Sequence, residues 1–424
     1  MPGKASKGLS RRSALVLGAA AAVGLPRFAR AADEPIRIGY GMALTGGLAP
    51  NGKSALLAQQ IWEEDINAKG GLLGRPVKLV YYDDQSNPST VPQIYTKLLD
   101  VDKVDLVIGG YATNMLAPAM PVVIAHNKVF IGLLGLAVNS QFNYPRYFVM
   151  APTGGMDSKA SITQSFFEVA AQQNPKPATI AIVAADAEFA LNAAAGARPL
   201  AKAIGLQTVY DKTYPPSTTD YTPVIRAIQA TNPDVVCVCS YPPDSVGIVR
   251  AANEVGLKTK LFGGAMVGLQ ATAIKMQLGP LLNGIVNYDF WLPVPKMQFP
   301  GVNDLIKRYQ AKAEGAGVDP LGYYMAPWAY AQLQVVAQAI EATKSLDDGK
   351  LAEYTAKNTF QTVVGDVKYG PNGEWSEPRV IQVQFHNVKA SDLEQWRTLA
   401  AQTVVAPEAF ASGKVIYPYT GAKG

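Results

Sequence analysis

Cysteine and histidine are nearly missing from this chain, with two of each in 424 residues. Cys237 and Cys239 sit two apart in the apolar run 234–240. Neighbours at that spacing share one face of a strand but are too close in the chain for an ordinary disulfide, so buried free thiols are expected. His126 and His386 have no second histidine, cysteine or glutamate at metal-ligand spacing, which speaks against a zinc or hydrolytic-metal site. So few histidines leave a serine or cysteine triad little to work with, and no Gly-x-Ser-x-Gly elbow occurs. Long apolar runs are also scarce. The run 14–25 has twelve residues and stops at Pro26, short of the ~20 a spanning helix needs, and no later segment is long and apolar enough.

That short run follows Ser10-Arg11-Arg12-Ser13 and precedes Ala29-Arg30-Ala31. The pattern is that of a signal peptide, residues 1–31, with an Ala-x-Ala cleavage site, and the paired arginines point to the twin-arginine route. The expected product is soluble in the periplasm. Lys4, Lys7, Arg11, Arg12, Arg27 and Arg30 would leave with the leader, so the formal charge of +5 becomes −1. A nucleic-acid partner then loses its electrostatic footing. About 390 residues remain, more than one core usually supports, so two domains are expected.

After the leader, short apolar runs alternate with amphipathic stretches. Strands are expected at 35–40, 77–82, 105–108, 129–134, 179–184, 206–214, 234–239 and 260–263, with helices at 54–68, 89–100, 188–204, 221–230 and 245–255. Strand then helix, repeated, means a parallel sheet with helices on both faces. The rhythm restarts after Pro152-Thr-Gly-Gly155, giving an α/β protein of two doubly wound lobes. Later come helices at 302–313 and 326–345 and strands at 363–369 and 380–385, the strands separated by the turn Gly370-Pro-Asn-Gly373.

The segment Tyr40-Gly-Met-Ala-Leu-Thr-Gly-Gly47 follows a strand and precedes a helix, yet Leu44 stands where a dinucleotide fingerprint needs its third glycine. No nucleotide or other cofactor is expected. Asp83-Asp84 ends a strand, where adjacent side chains point apart, so capping or solvation fits better than acid–base catalysis. The loops at the carboxyl ends of the strands, 44–52, 109–115, 134–139, 185–189, 240–244 and 263–267, carry glycines, small polar residues and aromatics suited to holding a small molecule.

Several stretches, in this order and spacing, resemble the leucine/isoleucine/valine-binding protein family, the type I periplasmic binding proteins of branched-chain amino-acid-type ABC importers. They are Ile38 to Gly52 with Thr45-Gly46, Asp65-Ile-Asn-Ala-Lys-Gly-Gly71, Tyr82-Asp83-Asp84, Val107-Ile-Gly-Gly110, Asp220-Tyr221 and Arg250 to Leu257. The resemblance implies lobes of 33–153 plus 289–376 and 154–288 plus 377–424, joined by three crossings near Pro152, Tyr288 and Pro378. It implies a monomer that traps a solute between its lobes and delivers it to an inner-membrane permease. It also implies a ligand set of Asn51, Ala112, Thr113, Leu134, Leu136, Phe189, Tyr241, Ala265 and Met266. Thr113 and the loop 134–136 would hold a carboxylate, and Phe189 and Tyr241 would supply rings.

Where amino-acid binders of the family receive the ligand ammonium, this sequence matches Leu136 and Ala265, so the counter-charge is missing unless Asp186, Glu188 or Asp244 replaces it. Burying an unpaired cation costs several kcal/mol, on the order of what excludes wrong ligands. The expected ligand is therefore an amino-acid derivative, an aromatic or aliphatic carboxylate, or an amide. Trp291 either lines that pocket or packs in the hinge. A sensor of the same fold and an exported enzyme are the competing readings. A sensor would call for a fused output domain, and an enzyme for clustered histidine, cysteine or carboxylate in the cleft loops.

Overall fold

The computed structural model describes residues 34–155 and 157–421, together with Met1 and Gly3. The chain divides into two units, Met1–Glu34 and Pro35–Gly424. The twin-arginine leader expected at 1–31 lies outside the described residues, Met1 and Gly3 apart.

The first lobe is built on five parallel strands: β1 (Ile36–Met42), β2 (Val77–Asp83), β3 (Leu106–Val107), β4 (Phe130–Leu133) and β5 (Tyr147–Met150). β1 lies between β2 and β3, and β4 pairs with β5. The chain just past β3 joins the two sets, since Ile108 N–H donates to Gly39 O at 3.0 Å and Gly109 N–H to Ile131 O at 2.9 Å. Gly110 permits this close passage, because a Cβ there would stand 1.9 Å from Gly41 O. The helices Ala49–Ala68 and Ala326–Thr343 pack together on this lobe.

The second lobe carries a seven-stranded sheet made of β6 (Thr179–Ala185), β7 (Gln207–Tyr214), β8 (Val235–Ser240), β9 (Leu261–Met266), β10 (Val286–Asp289), and two later strands. After the hairpin β11 (Thr359–Thr362) and β12 (Gly365–Lys368) come those two, β13 (Ile381–Phe385) and β14 (Gln402–Ala406). The order is β14-β13-β10-β9-β8-β6-β7, parallel from β10 to β7 and antiparallel at the β13 and β14 edge. Every residue of β8 and β9 is buried, as a strand covered by helices on both faces requires. Cys237 and Cys239 are free thiols in this strand.

The chain passes between the sheets after β5, after β10 and after β12. The first and last passages run side by side: Trp375 N–H donates to Thr153 O at 3.3 Å and Arg379 N–H to Pro152 O at 2.7 Å. Gly154 is required at their contact, with φ of 146° and Trp375 O 2.0 Å from where a Cβ would stand. No helix among the described residues is long and apolar enough to cross a membrane.

Candidate functional site

The carboxyl ends of strands from both lobes face one narrow cavity of about 20 Å3. From the first lobe come the turn after β3, with Tyr111, Ala112 and Thr113, and the loop after β4, with Leu134, Gly135 and Leu136. Tyr324 enters from the turn ahead of the helix Ala326–Thr343, and Leu48 from the start of the helix Ala49–Ala68. Phe189, Tyr241 and Val267 close it from the second lobe, and the crossings supply Ala151, Thr153, Tyr288 and Phe290.

The β3 turn is strained. Ala112 has φ 86° and ψ 145°, a region that suits glycine, and Leu134 and Ala137 also have positive φ, 51° and 56°. The strain sets Ala112 as the residue before the helix Thr113–Ala125, and Ala112 and Thr113 line the cavity at that helix start. Thr113 Oγ1 accepts from Leu136 N–H at 3.0 Å, locking the β3 turn to the β4 loop. A helix N-terminus next to a glycine-containing loop favours an anionic group such as a carboxylate.

The rings are held differently on the two sides. Asn51 Nδ2 donates to Tyr111 Oη at 2.8 Å, and Tyr288 and Tyr324 share a 3.0 Å hydroxyl contact. Burial pushes the Tyr111 phenol up to about 12. On the second lobe, Tyr241 Oη accepts from Phe189 N–H at 3.0 Å, and the two rings meet edge to face at 5.9 Å. Burial pushes the Tyr241 phenol up as well.

Of the nine residues the sequence singled out, Ala112, Thr113, Leu134, Leu136, Phe189 and Tyr241 line the cavity. Asn51 stands one layer back and acts on the wall through Tyr111. Ala265 and Met266 do not line it. Both are wholly buried in β9, paired with Cys239 and Ser240, and the strand reaches the wall one residue past its end, at Val267. Trp291 also packs away from the cavity, donating from Nε1 to Met297 O at 2.9 Å, and its neighbour Phe290 lines the wall instead.

Among the described residues, no charged side chain lines this cavity. Glu188 is half-buried and accepts from Gln141 Nε2 at 3.1 Å, with its pKa raised by burial. Asp244 is turned to Tyr214 Oη at 2.6 Å and Tyr241 N–H at 3.1 Å, and burial raises it too. It borders a neighbouring chamber reached past Leu48 and Tyr241. The Asp83-Asp84 pair divides its work. Asp83 accepts from Leu44 N–H, Thr45 N–H, Thr45 Oγ1 and Gln85 N–H at 2.7–3.1 Å, bonds that hold its pKa low against the desolvation. Asp84 is buried and pushed up to about 6 by desolvation. Among the described residues no three histidine, cysteine or carboxylate side chains come together in a metal-holding group.

Two α/β lobes with strand ends facing a shared cleft define a ligand-capturing architecture, and the comparisons agree. The profile of a family described as periplasmic binding protein matches residues 35–382, and the chain belongs to that family. A Leu/Ile/Val-binding protein of Citrobacter freundii is 25% identical over 370 residues, covering 86% of this chain and 94% of that protein. The branched-chain amino acid transporter substrate binding protein of Streptococcus pneumoniae, solved with isoleucine, superposes with a TM-score of 0.71 at 19% identity, covering 88% of this chain and all of that one. A solute binding protein of an ABC transporter from Rhodopseudomonas palustris, solved with 3,4-dihydroxybenzoic acid, gives 0.68 at 16% identity, covering 91% of this chain and 98% of that one.

Proposed function

We propose that the chain is the periplasmic substrate-binding component of an ABC importer, without catalytic activity of its own. It acts as a monomer that closes on a small carboxylate or amide with an apolar or aromatic body and hands it to a membrane permease. The lobes divide at 153/154, 288/289 and 376/377, so that closure bends the three crossings.

One observation carries the ligand class: among the described residues, six aromatic rings and no charged side chain line the cavity. Phe189 and Tyr241 line it with Tyr111, Tyr288, Phe290 and Tyr324, a set of rings suited to a flat or branched apolar body once the lobes part to admit it. The strained β3 turn and the Gly135 loop supply polar backbone at one end, suited to a carboxylate or amide. A free α-amino acid would bring an ammonium into a wall with nothing anionic to meet it, at a cost of several kcal/mol. The dihydroxybenzoate complex of the Rhodopseudomonas palustris neighbour lends support by fold analogy.

A thermal-shift panel on the purified protein tests the reading, because a ligand that binds only the folded state stabilises it by mass action. Benzoates, branched aliphatic carboxylates and short amides are expected to raise Tm, and leucine, isoleucine and valine to leave it unchanged. A shift with the amino acids alone would refute the ligand class and keep the transport role.

A further inference from the structure

Four of the six rings in the cavity wall are phenols. Tyr241 spends a lone pair of its hydroxyl on Phe189 N–H. The other three, Tyr111, Tyr288 and Tyr324, form a group of their own. Asn51 Nδ2 donates to Tyr111 Oη at 2.8 Å, and the Tyr288 and Tyr324 hydroxyls meet at 3.0 Å. Asn51 and the three tyrosines are buried, none of them more than 6% exposed. Among the described residues no carbonyl or carboxylate oxygen accepts from any of the three hydroxyls. The phenols also feel one another: burial raises Tyr288 and Tyr324 well above the ordinary range, and Tyr111 is the next cause for both.

A count of hydrogens gives this group a direction. A phenol has one hydrogen to give, and the NH2 of an amide only gives. Because Asn51 fills a lone pair of Tyr111 with its own N–H, the Tyr111 hydrogen must point elsewhere. Between Tyr288 and Tyr324 one hydrogen is spent and one is left over. Even where Tyr111 gives its hydrogen to that pair, the chain of hydroxyls ends on a hydrogen without an acceptor. A buried donor left in that state costs roughly 1–3 kcal/mol, so the wall calls for a lone pair from whatever fills the cavity.

We propose that Tyr111, oriented by Asn51 and backed by Tyr288 and Tyr324, is a subsite that selects a solute carrying a second hydrogen-bond acceptor, a carbonyl or ether oxygen on its body, besides its carboxylate or amide. This rests on the reading of the cavity as the ligand site. Asn51 is a positioning residue, and Tyr111 the group that touches ligand. Both belong to the first lobe, so the Tyr111 hydrogen is aimed before the lobes close. A solute with a bare hydrocarbon end of the same shape leaves the donors unpaired on closure, and that penalty is the discrimination.

Calorimetric titration at neutral pH with two pairs of matched shape tests the subsite: 4-acetylbenzoate against 4-isopropylbenzoate, and 4-oxopentanoate against 4-methylpentanoate. In the wild type the ketone of a pair that binds is expected to bind about tenfold tighter, against the order that burial of apolar surface alone would give. Tyr111→Phe keeps the ring and removes the hydrogen, and should cut that ratio by about threefold or more. Adding Tyr288→Phe and Tyr324→Phe should bring it to one or below. Asn51→Asp keeps the shape but offers a carboxylate that takes the Tyr111 hydrogen, so the ratio should fall there too, which loss of packing alone would not produce. Should the triple variant or Asn51→Asp not fold, the wild type and Tyr111→Phe decide the matter alone. A ratio unmoved by Tyr111→Phe, or a wild type that binds both members equally, overturns the subsite and leaves the aromatic cavity standing. A ratio unmoved by Asn51→Asp overturns the orienting role of Asn51. Binding of no probe overturns the cavity reading and the subsite with it.

Discussion

Replacing Glu374 by glutamine should change how stability depends on pH, by an amount the structure sets. The wild-type carboxyl rises from an ordinary 4.5 to about 7 in the folded protein. At ~1.36 kcal/mol per pKa unit, that difference amounts to about 3 kcal/mol. Its sign follows from the folded value lying above the unfolded one. The native state holds the proton longer, so this stabilisation is fully present below pH 4.5 and is lost as pH rises through about 7. Glutamine has no proton to lose. Urea unfolding of both proteins from pH 4.5 to 8 should show the variant gaining about 3 kcal/mol on the wild type, nearly all of it by pH 7. Asp84 and Asp289, pushed up to about 6 by burial, act in the same sense, and Asp83, Asp65 and Asp234 in the opposite one. These contributions cancel when the two proteins are subtracted. A difference that stays flat with pH would refute the raised, proton-holding carboxyl.

Tyr241→Ala should weaken binding of whichever panel ligand is found by at least tenfold, ~1.4 kcal/mol, because it removes one ring of the second-lobe wall. Calorimetry on a variant that melts cooperatively checks this, and unchanged affinity would remove Tyr241 from the site. Ala112→Gly should raise thermal stability by about 1 kcal/mol, since the strain at φ 86° exceeds the entropy glycine adds to the unfolded chain. A lower Tm would mean that the turn is not strained.

The central strands of the second sheet were legible in the sequence because they are buried on both faces. β6, β8 and β9 read as unbroken apolar runs, since helices cover both sides of a parallel sheet. β5 and β10, at four residues each, are too short to show a period, and neither was anticipated. The helix Thr113–Ala125 hid behind Pro118 and Pro121, which read as breakers but are accommodated inside it. The site divided in the same way. Thr113, Leu136, Phe189 and Tyr241 stand where strand ends must present loops, a rule visible from alternation alone. Tyr288, Phe290, Thr153 and Tyr324 come from the crossings and from a turn ahead of a helix, and nothing local marks such positions as facing a cavity. Ala265 and Met266 missed the wall because β9 runs to Met266, three residues past the end expected at 263, and such a shift exchanges wall residues for core residues.

Ligand capture needs contacts that exist only when the lobes are closed, for a ligand shifts a conformational equilibrium only by its differential affinity for the two states. Two hydrogen bonds join the lobes near the cavity: Asn192 Nδ2 on the second lobe donates to Leu136 O at 3.1 Å, and Gln141 Nε2 on the first donates to Glu188 at 3.1 Å. Each is a single bond, worth on the order of 1 kcal/mol net, too little to hold the protein shut unaided. The rest must come from the ligand. In the proposed role, the first-lobe wall is held by the Asn51–Tyr111 and Tyr288–Tyr324 bonds, and Phe189 and Tyr241, carried by the second lobe, would meet the ligand on closing. Burying an apolar body against those two rings supplies the closing free energy, at ~25 cal/mol per Å2 removed from water. Polar ends then select among apolar bodies of similar size, because closure buries any group left unpaired. A cleft built in this way would capture by apolar area and discriminate by the hydrogen bonds its wall can offer.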